Sequence, residues 1–206
     1  MQVEAVIFDI GNVLLEWQPE VYYDRVFGVE RRKRLFAEVD LLGTNLAVDA
    51  GAPFRGSIYA LADRHPDWAT EIREWHDNWI RIASPLIPHS LRLMRALRAK
   101  GVPVFALTNF GEESYAYAAS EYQFFSEFDR AYVSGRMKVI KPDPEIYRRV
   151  EQDCGIAPER LLFADDKAEN IEAAAARGWQ VHHFVTPQGW AARLVAAGLL
   201  DEGEAA

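Results

Sequence analysis

Three carboxylates, a hydroxyl, an amide and a lysine occupy places in this sequence from which they could act together. All but the lysine directly follow a short apolar run. In chain order they are Asp9, Thr108, Asn109, Lys141, Asp165 and Asp166. Carboxylates that share one pocket repel one another and raise one another's pKa unless a cation neutralises them. A hard divalent ion such as Mg²⁺, which prefers oxygen ligands and keeps several of its waters, is the simplest such cation.

These groups can meet only if the apolar runs before them are neighbouring strands of one sheet. The predicted strands cover residues 3–8, 102–107, 161–164 and 181–185, with a weaker candidate at 130–134. Their nearly continuous hydrophobicity is typical of strands buried on both faces of a parallel sheet. Segments of helical period, at 90–100, 113–121, 144–154 and 168–177, separate them. This alternation predicts an α/β fold with a doubly wound parallel sheet, in which ligands bind beyond the carboxyl ends of the strands.

The stretch from Trp17 to Ile82 interrupts this alternation, because it has helical periodicity and no convincing strand. Predicted helices cover residues 31–39, 58–63 and 70–82, and Trp68, Trp75 and Trp79 are expected to build a small helical core. We therefore expect an all-helical cap inserted after the first strand. The predicted boundaries are residues 1–15 and 84–200 for a Rossmann-like core, 16–83 for the cap and 201–206 for a frayed tail.

Composition narrows the classes of function. Against 23 lysines and arginines stand 31 acidic residues, giving a net charge of −8, so a groove for nucleic acid is not expected. Cys154 is the only cysteine, which excludes an intrachain disulfide and a cysteine metal cage. No apolar run approaches the roughly 18 residues that a membrane span requires. We expect a cytoplasmic monomer or homodimer that binds a small molecule and neither nucleic acid nor membrane.

Four segments resemble, in order, the motifs of a known family. They are residues 8–14, 107–109, 138–147 and 163–171. The sequence resembles the haloacid dehalogenase-like superfamily, most members of which are Mg²⁺-dependent phosphatases that use an aspartate nucleophile. The predicted helical insert matches the position and type of the smaller helical cap in this superfamily.

The resemblance implies a nucleophile and a metal site. Asp9 would attack phosphorus in line and form an aspartyl phosphate, which divides a slow displacement into two easier steps. Asp9, the backbone carbonyl of Gly11 and the carboxylate of Asp166 would bind Mg²⁺, and Asp165 would complete the site directly or through water. Asn170, where many relatives have a further acid, would lie outside the first ligand layer.

The resemblance also implies a phosphate-binding site and a cap that contacts the rest of the substrate. Thr108 and the amide of Asn109 would hold the phosphoryl oxygens, and Lys141 would offset their charge. In the cap, residues 43–51 form the most polar, glycine-punctuated segment. One hypothesis is that Asn45 and Asp49 contact substrate hydroxyls; the alternative is that the segment is an ordinary surface turn.

One departure from the family pattern leaves three interpretations open. Most superfamily phosphatases carry a second aspartate, the proton donor for the leaving group, where this chain has Gly11. General acid catalysis contributes about 10²–10⁴-fold, so the loss is substantial.

The first interpretation is a phosphatase that is helped by solvent or by a group on the cap, or whose leaving group needs little help, such as a sugar 1-phosphate. The Asp-x-Gly-Asn pattern resembles a bacterial sugar-phosphatase subgroup that includes an α-D-glucose-1-phosphate phosphatase. The second is a metal-independent 2-haloacid dehalogenase, although those relatives have tyrosine, glycine and threonine after Asp-x. The third is a non-catalytic binding protein that keeps the fold.

Overall fold

A computed structural model describes residues 2–206. Within these residues, five strands form one sheet in the order β3-β2-β1-β4-β5, and all four pairings are parallel. The strands are β1 Ala5–Phe8, β2 Val104–Thr108, β3 Arg130–Val133, β4 Leu161–Asp165 and β5 Gln180–His183. The predicted doubly wound α/β fold is therefore confirmed.

Each strand is followed in the chain by at least one helix. The α-helices are α1 Pro19–Phe27, α2 Val29–Glu38, α3 Leu41–Asp49, α4 Phe54–Arg64, α5 Ala69–Asp77, α6 Trp79–Ile82, α7 Pro88–Ala99, α8 Glu112–Glu121, α9 Ser134–Met137, α10 Pro144–Cys154, α11 Ala168–Ala176 and α12 Pro187–Ala196. Helices α1 to α6 lie between β1 and β2, so the segment in which the sequence offered no strand is helical. We call these six helices the insert.

The three central strands, β2, β1 and β4, are buried on both faces, which explains their continuous hydrophobicity. All four residues of β1 have no exposed surface. Val6 and Phe8 pack into one hydrophobic cluster, while Ala5 and Ile7 pack into the cluster on the opposite face. Alternate side chains thus serve two different cores, and neither set can be polar.

Several predicted boundaries were wrong. Strand β1 begins at Ala5 rather than at residue 3, and β4 extends to Asp165. Helices α1, α3 and α12 were not predicted. In α3 the glycine at position 43 obscured the pattern, yet it suits the helix start: Asp40 accepts a hydrogen bond from the Gly43 backbone N–H at 3.0 Å, and a Cβ at this position would lie 2.3 Å from Asp40 Oδ2.

The carboxyl-terminal tail packs against α7, so the expectation that it is frayed was wrong. Ala205 is buried, with its carbonyl 2.9 Å from His89 Nε2. Glu204 forms a 2.7 Å ion pair with Lys100, which follows α7 directly. A charged residue of the tail, Glu204, therefore helps to hold it in place, although the charged composition suggested disorder. Across residues 2–206, no helix combines the length and apolar character that crossing a membrane requires.

Candidate active site

The sheet order places the carboxyl ends of β2 and β4 on either side of β1. Asp9 continues β1 and donates its backbone N–H to the carbonyl of Ala164 in β4 at 2.9 Å. One cavity opens at this edge. Its lining includes eight residues that the sequence singled out: Asp9, Gly11, Asn45, Asp49, Thr108, Asn109, Lys141 and Asp166. The predicted convergence of separate chain segments is therefore present, and the insert contributes Asn45 and Asp49 to it.

Asp9 lies at the base of the cavity with 8% of its surface exposed. Its Oδ1 accepts the backbone N–H of Ile10 at 2.8 Å and lies 3.0 Å from Lys141 Nζ. Burial raises the pKa of Asp9 to about 7, because desolvation and the charges of Asp165 and Asp166 together outweigh the attraction of Lys141. Asp9 therefore needs more positive charge than Lys141 supplies if it is to be fully ionised at neutral pH.

Lys141 is held in place by a buried set of hydrogen bonds. It is 2% exposed, and its Nζ donates to Asp165 Oδ2 at 2.6 Å and to the Leu107 carbonyl at 2.9 Å. Burial opposes its charge, but the carboxylates of Asp165 and Asp9 outweigh burial and raise the pKa of Lys141 above its usual value. The lysine is therefore a fixed cation directed at Asp9.

Asp165 itself is fully buried and well supplied with hydrogen-bond donors. Its Oδ1 accepts the Lys167 backbone N–H at 2.8 Å, and Asn170 Nδ2 lies 2.9 and 3.0 Å from its two oxygens. These contacts orient Asp165 toward Lys141. They also give Asn170 a definite position behind the carboxylate cluster.

The carboxylates of Asp9, Asp165 and Asp166 can each offer one oxygen within 4.8 Å of the others. Burial raises the pKa of Asp166, although its Oδ2 accepts a hydrogen bond from Asn12 Nδ2 at 2.9 Å. Three acidic groups face one lysine, and all the donors are hard oxygens. This donor set fits a divalent cation such as Mg²⁺ better than a soft metal.

Asn12 is a site residue to which the sequence analysis gave no role. Its backbone has φ = 55°, in the left-handed region where asparagine is one of the few non-glycine residues tolerated. The Trp17 backbone N–H donates to Asn12 Oδ1 at 2.9 Å, which directs Nδ2 toward Asp166. Asn12 thus fixes the orientation of Asp166. Its place directly after Gly11 in the first motif could have indicated this role.

Thr108 and Asn109 lie where β2 ends. Thr108 is buried at the cavity wall with 1% of its surface exposed. The Asn109 side chain accepts the Lys141 backbone N–H at 2.8 Å and donates to the Lys141 carbonyl at 2.9 Å. Its side-chain amide is therefore occupied in joining the second and third motifs.

The segment 43–51 is not a surface turn, because most of it forms α3. Trp75 Nε1 donates to Asn45 Oδ1 at 3.0 Å, and Asn45 Nδ2 donates to Asp49 Oδ2 at 3.0 Å. Burial raises the pKa of Asp49 to about 8. Both residues therefore reach the cavity from the insert, in a fixed geometry.

Further residues of the lining were missed. They are Asn12, Leu15, Trp17, Leu46, Trp79, Phe110 and Lys167, whereas Asn170, which was expected beside the carboxylates, also lines the cavity. The ring of Trp17 lies 5.7 Å from that of Trp79, which lies 5.1 Å from Phe110. Trp79 had been assigned to the helical core, and it does pack there at 3% exposure while bordering the cavity. Phe110 directly follows the second motif, so its position in the chain could have indicated it.

Comparison with known proteins gives a consistent result. Residues 3–178 match the family of haloacid dehalogenase-like hydrolases. The sesquiterpene phosphatase astK of Aspergillus oryzae is 26% identical over 85% of this chain and 86% of its own. The phosphorylated carbohydrates phosphatase of Thermotoga maritima is 25% identical over 85% of this chain and 82% of its own.

The fold is also found among solved structures. The enzyme bt-2542 of Bacteroides thetaiotaomicron, crystallised with magnesium and inorganic phosphate, superimposes with a TM-score of 0.68 at 23% identity. The alignment covers 87% of this chain and 93% of that one. At this level of identity, the likeness establishes the fold.

Proposed function

This chain belongs to the haloacid dehalogenase-like hydrolase family, and we propose that it is a Mg²⁺-dependent phosphatase of small phosphorylated metabolites. The observation that carries the proposal is a cluster of three carboxylates, those of Asp9, Asp165 and Asp166, with the buried Lys141 paired to the first two. Asp9, Asp166 and Lys141 line one cavity. Two relatives that align over most of this chain are phosphatases, one of a sesquiterpene and one of phosphorylated carbohydrates. We regard residues 16–83 as the cap and the remainder, up to residue 200, as the catalytic core.

Asp9 is the proposed nucleophile. Its carboxylate attacks phosphorus in line with the leaving oxygen, the bond to that oxygen breaks, and an aspartyl phosphate forms; water then cleaves it. Asp9, Asp166 and the Gly11 carbonyl are the proposed ligands of Mg²⁺, with Asp165 beside them. When bound, the ion compensates the negative charge of the phosphoryl group and of the carboxylates.

The phosphoryl group requires donors at a fixed distance from Asp9. We assign this task to Thr108, the backbone amide of Asn109 and Lys141. Because Asp165 and the Asn109 side chain hold Lys141 from two directions, its charge is in place before the substrate arrives, and little reorganisation is needed during the reaction.

The part of the substrate beyond phosphate lies against the insert. On that side Asn45 and Asp49 offer polar contacts, and Trp79 of the insert and Trp17, just before it, offer aromatic surface. This mixture suits a compact molecule with both hydroxyl groups and an apolar face, and a sugar phosphate is one example.

A two-substrate assay tests the proposal. We expect p-nitrophenyl phosphate to be hydrolysed with Mg²⁺, with hydrolysis abolished by EDTA and by Asp9→Asn. A screen of phosphorylated metabolites under the same conditions then ranks the substrates. Metal-independent halide release from 2-chloropropionate would instead identify a dehalogenase. Absence of both activities would identify a binding protein and overturn the assignment.

A further inference from the structure

The absence of a side chain at Gly11 leaves the leaving group without the proton donor that a second aspartate would supply. Departure of an alcohol as its alkoxide is unfavourable, and a positioned acid accelerates such steps by about 10²–10⁴-fold. Beyond the proposed metal ligands, the lining of the cavity contains one further carboxyl group, that of Asp49. It reaches the cavity from the insert, whereas Asp9 reaches it from the sheet.

The Asp49 carboxyl group is held by a directional chain of hydrogen bonds. An indole nitrogen can only donate, so the bond from Trp75 Nε1 identifies the oxygen of the Asn45 side chain. The Asn45 nitrogen must then point the other way, where it donates to Asp49 Oδ2. One oxygen of Asp49 is thereby fixed and the carboxyl group cannot rotate freely.

The backbone around Asp49 is joined to the loop that carries the phosphate site. Ser134 Oγ donates to the Asp49 carbonyl at 2.6 Å and accepts the Phe110 backbone N–H at 2.8 Å. Lys138 Nζ donates to the Gly51 carbonyl at 3.1 Å. Phe110 directly follows Thr108 and Asn109, so these bonds set the position of Asp49 relative to the phosphate-binding end of β2.

The charged groups that act on Asp49 come from three other parts of the core. Asp9 disfavours its ionised form, while Lys141 and Lys167 favour it, as does the backbone N–H of Gly111. Burial is the largest influence, and it raises the pKa of Asp49 to about 8. In the metal-free protein the carboxyl group consequently carries its proton at neutral pH, which is the state that a proton donor requires.

We propose that Asp49 is the general acid that protonates the leaving group, in place of the aspartate absent at position 11. The proposal rests on the phosphatase function proposed above. As Asp9 attacks, the bond from phosphorus to the leaving oxygen breaks, and its electron pair stays on that oxygen. The oxygen takes the proton of Asp49, which becomes a carboxylate.

The second half of the reaction restores Asp49. Its carboxylate takes a proton from the water that attacks the aspartyl phosphate, while the bond between phosphorus and the Asp9 oxygen breaks. Inorganic phosphate leaves, Asp9 is a carboxylate again, and Asp49 is again protonated. A cap residue would thus contribute chemistry to the reaction in addition to contacts with the substrate.

The dependence of the rate on the leaving group tests this role. p-Nitrophenolate is a weak base and needs little protonation, whereas the alkoxide of an alkyl phosphate is a strong base. For Asp49→Asn, we expect kcat with an alkyl phosphate to fall by about 10²–10⁴-fold and kcat with p-nitrophenyl phosphate to fall by less than about 10-fold. Wild-type kcat/KM for the alkyl phosphate should decline as the pH rises and Asp49 loses its proton, and the variant should lack this decline.

The matched control is Asp63→Asn, which removes the charge of an insert aspartate whose side chain is 71% exposed. It should leave both activities unchanged. Equal losses on the two substrates in Asp49→Asn would overturn the proposal, since a structural role affects both alike. If Asp49→Asn does not fold, the rate of the wild type is measured across a series of phosphate esters whose leaving groups differ in basicity. A steep fall in rate with increasing basicity would overturn the proposal that Asp49 protonates the leaving group. A wild type inactive on every phosphate would refute the phosphatase function itself.

Discussion

Asp165 and Lys141 form an ion pair of 2.6 Å in which the two side chains are 0% and 1% exposed. The Asp165 side chain is fixed in position, because Lys167 and Asn170 donate hydrogen bonds to it as well. The pair therefore holds Lys141 Nζ in a fixed position, 3.0 Å from Asp9 Oδ1. A buried pair of this kind depends on both partners, since removing one leaves the other charged and without compensation.

Replacing Lys141 by methionine should lower the free energy of unfolding by about 3–5 kcal/mol, because Asp9 and Asp165 then lose their counter-ion. It should also lower kcat by about 10²–10³, by analogy with deletion of one donor to a developing oxyanion. Urea denaturation without Mg²⁺ and steady-state kinetics with it measure the two effects. Lys33→Met, at a surface pair in the insert, is the control and should cost no more than about 1 kcal/mol. Equal stability of Lys141→Met and wild type would contradict the role given to the buried pair.

Asn12→Gly should weaken Mg²⁺ binding by about 10–100-fold, the usual effect of removing a group that orients a metal ligand. Glycine tolerates the positive φ of this position, so the change removes the donor to Asp166 without straining the backbone. Isothermal titration calorimetry with Mg²⁺ measures the affinity directly. Asn78→Gly removes an asparagine that donates to Glu74 within the insert, and it should bind Mg²⁺ like the wild type. Unchanged affinity in Asn12→Gly would refute the orienting role.

The sheet, and the site residues that follow its strands, could be predicted because short segments of the sequence determine them. Asp9, Thr108 and Asp166 directly follow buried apolar runs, and parallel pairing alone brings such positions to one edge. Asn170 could also be assigned to the surroundings of the carboxylates from its place in the fourth motif.

The contribution of the insert could not be predicted, because it depends on contacts between distant segments. Whether residues 43–51 form a turn or a helix depends on the capping of α3 by Asp40 and on the packing of Val48 against Gly111. The hydrogen bond that directs Asn45 comes from Trp75, thirty residues away in the chain. Likewise, the tail is ordered by Lys100 and His89, which lie on or next to α7.

The stability of the metal-free protein should depend on pH through Asp49. Burial raises its pKa from 3.8 to about 8, so between these values the folded state keeps a proton that the unfolded chain has lost. Stability from this group is therefore fully present below about pH 4 and is lost as the pH rises toward 8. The free energy of unfolding of wild type minus that of Asp49→Asn should fall across this window. A difference that is constant or rises with pH would show that Asp49 is ionised in the folded protein.

Gly135→Ala should destabilise the packing of α9 against the start of α8 within the core. A Cβ at Gly135 would lie 2.7 Å from the Glu112 backbone nitrogen and 2.8 Å from the Phe110 carbonyl oxygen, and neither backbone atom can move cheaply. We expect a cost of about 1–3 kcal/mol, measured by thermal or urea unfolding. Gly56→Ala is the matched control: its Cβ would meet only Pro53 at 3.5 Å on an exposed face of α4, so alanine should stabilise by about 0.5–1 kcal/mol. The same loss at both glycines would contradict the tight fit at Gly135.

The most direct measurement of the central claim is to identify the residue that carries the phosphoryl group. The wild-type protein is mixed with a labelled phosphate ester and Mg²⁺, quenched in acid within a single turnover, digested and mapped by mass spectrometry. We predict label on the peptide that contains Asp9, and neither label nor phosphate release with Asp9→Asn. Phosphate release without label at Asp9, or undiminished turnover by Asp9→Asn, would contradict the account.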